Sequence, residues 1–269
     1  MKKKLLFLAT MLLAVVLVLA GCGAKKTTLK MATGGTTGTY YAYGGTVSQV
    51  LSQKINNLSF DVQSTGASKA NIYLVSDREA DIAIVQNDVM FYAYNGTDLF
   101  AGDKVSGISA MAGVYAEVCQ IVANDKINSI ADLRGKRVSV GDVGSGVEFN
   151  ARQILEAYGI TFNDIIVNNL SFGDSATAFK DGKIDAFFCV AGAPTTAIVE
   201  LTTSNPVKLL EVDDEHAAKL IEKYPFYTKY KIPAGTYKGV DYNAQTVAVV
   251  ASFIVRDNLD NDLVYKMTK

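Results

Sequence analysis

The chain of 269 residues contains a single histidine, His216, and this scarcity excludes two classes of chemistry. A Ser–His–Asp hydrolase uses a histidine as its base, and histidine is a standard ligand of zinc sites. His216 lies in the acidic stretch EVDDEHAAK, which is typical of a solvated helix surface. The sequence therefore favours neither centre, and we expect no metal and no cofactor.

The glycine-rich turns lack the residues of nucleotide-binding motifs. The turn at 34–38 has no Gly-Lys-Ser/Thr ending of a P-loop, and Gly144-Ser145-Gly146 is not the dinucleotide fingerprint. Without residues 1–21 the chain retains 23 of its 26 basic residues and all 27 acidic ones. The resulting net charge of about −4 argues against nucleic acid as a partner.

The longest apolar run, residues 5–20, lies at the N-terminus. Three lysines precede it and Leu19-Ala20-Gly21 ends it before Cys22, the order of an export signal that closes in a lipoprotein lipobox. The run is shorter than the ~18 to 20 apolar residues that usually span a membrane. We expect a lipoprotein signal peptide over 1–21, an acylated Cys22 and a polar tether over 22–28. A plain signal peptide or an uncleaved anchor is the alternative, and either way the remainder lies outside the cytoplasm.

Two further cysteines, Cys119 and Cys189, lie inside apolar runs. Such positions favour buried thiols, although an exported location permits a disulfide.

All four prolines follow residue 190. Residues 223–238 mix lysines with aromatic side chains at irregular spacing, which predicts a loop.

An internal echo organises the rest of the chain. A strand, a glycine-rich turn and a helix follow one another from Leu29, and the same order returns from Arg137. In each copy a serine-containing turn, a short helix and a buried strand come next. Alternation of this kind gives parallel sheets with right-handed crossovers, whose loops gather at one edge. We predict an α/β fold of two lobes, each a mostly parallel sheet flanked by helices, with a ligand cleft between them.

Two apolar extended runs, 114–124 and 246–255, are suited to cross between the lobes. The expected boundaries are 29–117 for the first segment of lobe 1, 118–124 for the hinge crossing, 125–245 for lobe 2, and 246–269 for the return crossing and second segment of lobe 1.

Serines and a glycine mark the helix ends. Ser68 is the predicted N-cap of a helix over 69–76. Ser145 and Glu148 have the spacing of a capping box, and Gly159 suits the C′ position of that helix.

Three charged residues are candidates for the cleft. Asp88 and Glu117 lie at strand ends, where either could meet an ammonium group or serve as a hydrated structural cap. Arg152 lies about two turns into its helix, and a surface salt bridge is its alternative.

Five stretches together resemble the TAXI family of solute receptors, which serve TRAP transporters. They are ATGGTTGTYYAYG, STGAS, QNDVMFYAYNG, ADLRGKRVSVGDVGSG and TVAVVASFIVRDNLDNDLVY. The resemblance covers nearly all of residues 29–269 and implies a periplasmic-binding-protein fold of type II without enzymatic activity. It also implies further helices after Lys269. The alternatives are a receptor for an ABC importer and an enzyme on the same scaffold.

The resemblance further implies a small carboxylate ligand such as glutamate, or another organic anion or amino acid. The partners would be TRAP permease subunits and the membrane, reached through the N-terminal lipid, and the chain would be a monomer. The first turn suits an anionic group because it leads into the exposed N–H groups of a helix. The implied ligand contacts, which the echo supports, are Gly35, Thr36, Gly38, Thr39, Tyr40, Ser64, Thr65, Gly66, Ala67, Ser68, Gln86, Asn87, Asp88, Ser145, Gly146, Val147, Gly173, Asp174, Ser175, Gly192, Ala193 and Pro194. The sequence offers no obvious pair of arginines, which would indicate a dicarboxylate ligand. We therefore expect neutral backbone donors to bind the ligand.

Overall fold

The computed structural model describes residues 26–269, which form one mixed sheet flanked by helices. The strands are β1 (Thr27–Ala32), β2 (Leu58–Gln63), β3 (Ile82–Gln86), β4 (Ile108–Ala123), β5 (Arg137–Ser139), β6 (Ile166–Asn168), β7 (Ala186–Ala191), β8 (Lys208–Leu209), β9 (Thr228–Ile232) and β10 (Ala244–Arg256). The helices are α1 (Thr39–Lys54), α2 (Ser68–Ser76), α3 (Asn87–Asn95), α4 (Gly146–Ala157), α5 (Phe172–Lys180), α6 (Thr196–Thr202), α7 (Asp214–Lys223) and α8 (Asn261–Thr268). Short 3₁₀ turns occupy Asp98–Phe100, Ile130–Leu133 and Phe162–Asp164.

The sheet has two matching halves. The strand order is β2-β1-β3-β10-β4-β7-β5-β6, with β8 paired to β4 and β9 to β10. The outer triplets β2-β1-β3 and β6-β5-β7 are parallel, which confirms the predicted parallel sheets. Both β3 and β7 pair antiparallel with a long central strand.

The two copies of the sequence repeat share a side-chain contact in the structure. The Asp81 carboxylate accepts the backbone N–H of Lys30 at 2.8 Å, and the Asp185 carboxylate accepts that of Arg137 at 3.0 Å. Each aspartate also binds a guanidinium, Asp81 that of Arg256 at 2.7 Å and Asp185 that of Arg137 at 2.8 Å. The same device therefore joins β1 to the start of β3 and β5 to the start of β7.

The central strands β4 and β10 belong to both halves. Residues 118–123 of β4 pair with β7, whereas 108–118 pair with β10. Strand β4 begins at Ile108, six residues before the extended run that the sequence suggests. Small residues such as those of SAMAG carry little strand propensity of their own, and pairing with β10 holds them extended.

Apolar side chains cover both faces of each half-sheet. In β3, Ala83 and Val85 join a core with α2 and α3, while Ile82 and Ile84 join another with α1. Every residue of β3 and β7 is buried, as expected for strands covered on both faces.

The two described cysteines are buried, unbonded thiols, as their apolar surroundings predicted. Cys119 of β4 lies opposite Val190 of β7, and its side chain enters a different core cluster from that of Cys189. Burial raises the pKa of Cys189 to about 12 and also raises that of Cys119 well above its ordinary value. The opposite facing of the two thiols leaves no geometry for a disulfide.

The prediction of a loop over 223–238 is wrong for its central part. Residues 228–232 form β9, which pairs antiparallel with β10 from Thr228 opposite Ala248 to Ile232 opposite Ala244. The alternation of TKYKI turns Ile232 into the core while lysines face outward. A five-residue edge strand is too short for this period to stand out among the neighbouring aromatics.

One of the predicted helix caps is also wrong. Ala67 is the N-cap of α2, and Ser68 is its first helical residue. The Ser68 hydroxyl instead accepts the backbone N–H of Gln86 at 3.1 Å, which ties the helix to the end of β3. The Ser145 cap is confirmed, since its hydroxyl accepts the Glu148 N–H at 3.2 Å.

The end of α4 agrees with expectation, because Gly159 has a φ of +67° after the C-cap Tyr158. Within residues 26–269, no helix is both long and apolar enough to cross a bilayer. The expected signal peptide, Cys22 and most of the tether lie outside the described residues.

Candidate functional site

A cavity lies between the two halves of the sheet, above the middle of β4. It leaves about 50 Å³ for the centre of a water-sized sphere. The N-termini of α1, α2, α4 and α5, the ends of β3 and β7, and the centre of β4 supply its walls. The lining residues are Gly34, Gly35, Gly38, Thr39, Tyr40, Ala67, Ser68, Gln86, Glu117, Asp142, Ser145, Gly146, Val147, Ser171, Phe172, Val190 and Ala191.

Ten of the implied ligand contacts line this cavity. They come from three turns of the first half and one of the second, so the structure brings both copies of the echo to one place. These ten are Gly35, Gly38, Thr39, Tyr40, Ala67, Ser68, Gln86, Ser145, Gly146 and Val147.

The implied contacts of the first half that lie outside the lining support its turns. The Ser64 hydroxyl donates to the Gly34 carbonyl at 2.9 Å, and the Thr65 hydroxyl to that of Thr33 at 2.9 Å. Asn87 accepts the backbone N–H of Val250 and so ties α3 to β10. Thr36, Gly66, Asn87 and Asp88 likewise do not line the cavity.

Six implied contacts of the second half do not line the cavity. The Gly192 carbonyl accepts the Thr39 hydroxyl at 3.1 Å, and the Ser175 hydroxyl lies 2.8 Å from that of Ser139. Gly173 packs on Thr37 across the cleft. Asp174, Ala193 and Pro194 complete this group, and the Ala193–Pro194 peptide is cis.

The remaining lining residues were not among the implied contacts. Ser171 is the N-cap of α5 and accepts the Asp174 N–H, so that helix begins earlier than the residues chosen from its turn. The Ser-x-x-Asp spacing could have located this start. Val190 and Ala191 end β7, where the strand-end rule also points. The other members of this group are Gly34, Glu117, Asp142 and Phe172.

Two helices present unsatisfied backbone donors to the cavity. The N-caps of α1 and α2 are Gly38 and Ala67, and neither supplies a side-chain cap. The first-turn N–H groups of any helix have no intrahelical partner, and here they have no side-chain cap either. They carry the positive end of the helix dipole. Ala67 has φ +64° and ψ −148°, a region that costs a non-glycine residue of order 1–3 kcal/mol. Such N-termini bind carboxylates and other anions.

A buried carboxyl group forms part of the cavity wall. Glu117 is 1% exposed, and its Oε2 accepts the Gln86 amide at 3.1 Å. Burial raises the pKa of Glu117 to about 8, and hydrogen bonding from Tyr40 and Gln86 only partly opposes this effect. Glu117 Oε1, Gln86 Oε1 and the Tyr115 hydroxyl are buried and have no hydrogen-bond partner within residues 26–269.

The charged side chains of the lining are both acidic. They are Glu117 and Asp142, and burial raises the pKa of Asp142 as well. Lys69, in the first turn of α2, directs its amine to the Leu99 carbonyl at 2.9 Å. Arg152 forms an ion pair with Glu148 at 3.7 Å, as its alternative reading anticipated.

The two halves meet directly around the cavity. Besides the bond from Thr39 to Gly192, the Ala197 N–H donates to the Thr37 carbonyl at 3.3 Å. Gly146 lies so close to Gln86 that a Cβ added there would stand 1.9 Å from Gln86 Oε1. These contacts place the cleft in a closed arrangement.

A second set of contacts joins α3 to α4 behind the cavity. The Asn150 amide donates to Asp88 at 3.1 Å and to the Tyr227 hydroxyl at 2.6 Å. The Gln153 amide donates to the Tyr92 hydroxyl at 3.2 Å, while its carbonyl oxygen accepts the Tyr227 hydroxyl at 2.7 Å. Burial raises the pKa of Asp88 to about 6. We refer to these five side chains as the interlobe network.

The model of the NMT1-like family matches residues 31–269. The chain belongs to the NMT1-like family. Its fold is also found in solved structures of low sequence identity, which support the fold alone. The alkanesulfonate-binding protein SsuA of Xanthomonas axonopodis pv. citri has a TM-score of 0.54 and 15% identity, over 87% of this NMT1-like chain and 67% of the other.

Two further structures agree. A putative L-cystine ABC transporter from Listeria monocytogenes has a TM-score of 0.53 and 16% identity, over 90% of this chain and 87% of the other. DctP7, an extracytoplasmic solute receptor from Bordetella pertussis that binds pyroglutamic acid, has a TM-score of 0.51 and 14% identity, over 90% and 76%. The NMT1-like chain thus shares the α/β fold of these neighbours, which are named as a binding protein, an ABC transporter protein and a solute receptor.

Proposed function

We propose that the protein is an extracytoplasmic receptor that captures a small organic anion or amino acid and delivers it to a membrane permease. The observation that carries this proposal is the cavity, which both halves of the sheet line and which uncapped helix N-termini face. A ligand held between two lobes stabilises the closed arrangement, because contacts to both lobes exist only there.

The permease we propose is of the TRAP type, as the TAXI resemblance implies. The neighbour DctP7, named as an extracytoplasmic solute receptor, is compatible with this assignment. An ABC importer is the second candidate, since another neighbour is named as an ABC transporter protein. Co-purification of the full chain with each class of permease, produced from the same genome, distinguishes the two candidates.

The attachment we propose is a lipid on Cys22, with the chain exported and held at the outer face of the cytoplasmic membrane or in the periplasm. Its support is the order of lysines, apolar run and small residues before that cysteine. Cys22→Ser should release the chain from the membrane fraction, and mass spectrometry of the wild-type N-terminus should find the acyl groups.

Calorimetry and thermal-shift screening of the mature chain against amino acids and small carboxylates test the receptor function. We expect at least one solute to bind with one-to-one stoichiometry and to raise the unfolding temperature, because a ligand of the native state stabilises it by mass action. Absence of binding across a broad panel would overturn the proposal.

A further inference from the structure

One end of the cavity offers hydrogen-bond acceptors that lack donors. Glu117 and Gln86 are each 1% exposed, and in the part of the chain that the structure describes their Oε1 atoms have no hydrogen-bond partner. The Gln86 amide donates one of its two N–H bonds to Glu117 Oε2. Buried acceptors without donors are costly. The protonated Glu117 carboxyl of the empty site has one O–H of its own, and the Tyr115 hydroxyl is also unpartnered among the described residues. This end of the cavity therefore still offers acceptor lone pairs to a group with N–H bonds.

The helix N-termini offer the opposite chemistry. The first turns of α1 and α2 begin at Thr39 and Ser68, next to N-caps without side-chain acceptors. Their N–H groups need an acceptor and favour negative charge. A ligand with a carboxylate at these turns and a cationic donor at the other end satisfies both sets.

A ligand that is only an anion fits poorly. Among the described residues, the charged members of the lining are Glu117 and Asp142, with no lysine, arginine or histidine. The amine of Lys69 is directed to the Leu99 carbonyl. An anionic group beside Glu117 would keep the carboxyl protonated and gain at most its one O–H donor, whereas an ammonium group would gain acceptors and an ion pair.

We propose that Glu117 determines the specificity of the cavity: it selects solutes that carry an ammonium group beside their carboxylate, and it loses its proton when such a solute binds. This inference rests on the proposed receptor function. Glu117 Oε1 and Gln86 Oε1 accept from the ammonium group, and the helix N-termini donate to the carboxylate.

The proton released on binding follows from the burial of Glu117. With a pKa of about 8 the carboxyl is mostly protonated at pH 7 in the empty site. An adjacent ammonium lowers that pKa, so the carboxyl ionises and its proton passes to the solvent. The affinity for an amine-bearing solute therefore rises with pH up to about 8 and levels off above it.

The test is calorimetry of the mature chain with matched pairs of probes. L-Alanine, L-glutamate and L-leucine are each compared with the counterpart that lacks the amine: propionate, glutarate and 4-methylpentanoate. Titrations at pH 7 in two buffers of different ionisation enthalpy give the number of protons released. We expect the best-bound amino acid to exceed its counterpart by about tenfold or more, the range of a charge-assisted hydrogen bond. We also expect it to release up to about one proton.

Two variants complete the design. Glu117→Gln should lose both the preference and the proton release, whereas Glu79→Gln, the same change at an exposed position of the first half, should keep both. Equal affinities within each pair, or binding by the wild-type chain without proton release, would overturn the inference while leaving the receptor function intact. Binding of none of the six probes, nor of any solute in a wider panel, would overturn the receptor function itself. The wild-type proton count remains decisive even if Glu117→Gln fails to fold.

Discussion

Gly146 permits the closest approach between the two halves of the molecule. It begins α4, and the site of its missing Cβ is occupied by the Gln86 side chain from β3. Its backbone has no positive φ, so the requirement is for space rather than for a special conformation. Any side chain here acts on the closed arrangement, because Gln86 belongs to the opposite half.

Gly146→Ala should weaken solute binding by roughly 1–3 kcal/mol, the usual cost of overpacking. The matched control is Gly45→Ala, where an added Cβ meets no atom within 4 Å and which should leave binding unchanged. Calorimetry with the solute found in the panel measures both. Equal affinity of Gly146→Ala and wild type would show that the halves do not meet this way in the bound state.

Tyr40 serves the cavity and the core together. It lines the cavity next to Glu117, yet it is 8% exposed and packs in the core cluster of β1 and α1. Tyr40→Ala should therefore lower the free energy of unfolding by about 3–5 kcal/mol, as for other large buried aromatics. Tyr40→Phe should keep most of that stability and lose only the hydroxyl. Urea denaturation followed by circular dichroism checks the difference, and equal stability of the two variants would contradict the packing.

At the scale of elements, the interlobe network joins α3 to α4. Asp88 is buried at this junction, and its Oδ1 and the Asn150 Oδ1 have no hydrogen-bond partner among the described residues. The α3 backbone and the Asn150 amide donate to Asp88, and their effect on its pKa is smaller than that of burial. The titratable groups that face it are the hydroxyls of Tyr92 and Tyr227, the Cys119 thiol and the acids Asp98 and Glu117, so the structure shows no cation to hold its charge.

Acid should favour the closed arrangement of the ligand-free chain. The closed form raises the pKa of Asp88 to about 6, above the ordinary value of 3.8, so it binds the proton more tightly than an open form in which Asp88 meets water. The gain is full below about pH 4 and is lost as pH rises through about 6. Small-angle X-ray scattering at pH 5 and 7 should find a smaller radius of gyration at pH 5. Asp88→Asn, which cannot ionise, should reduce the difference without abolishing it, because burial also raises the pKa of Glu117, to about 8, and the same linkage applies to that carboxyl. A wild-type radius independent of pH would contradict the mechanism.

Much of the element order could be predicted because residues close together in the sequence determine it. The strand, turn and helix that follow Leu29 recur after Arg137, and the parallel triplets of the sheet follow from that order. Contacts set by distant partners could not be read in the same way. The hydroxyl of Ser68 is drawn to Gln86, and β9 exists because it pairs with β10.

The residues of the candidate site were likewise predictable where neighbouring residues determine them and unpredictable where distant contacts do. Turns at the starts of α1, α2 and α4 were recognisable from glycines and serines, and they line the cavity. The position of Glu117 depends on how β4 crosses the middle of the sheet, which sequence spacing alone does not give. For α5, the implied contacts from Gly173 onward do not include Ser171 and Phe172, which are the N-cap and the first residue of the helix.

At the scale of the whole molecule, two parallel half-sheets share two long strands. Each of β4 and β10 runs through both halves, so a change in the bend of these strands moves one half against the other. The facing turns and the interlobe network both depend on that movement. Solute binding, closure and permease docking would then report on one equilibrium between open and closed forms.

The most direct test of this account is small-angle X-ray scattering of the mature chain at pH 7, with and without the tightest-binding solute of the panel. The account predicts that the ligand-free chain is more extended, and that saturating solute contracts it to the profile of the closed structure. Gly146→Ala at the same saturation should contract less. A solute that binds tightly and leaves the scattering of an extended chain unchanged would contradict closure as the basis of recognition.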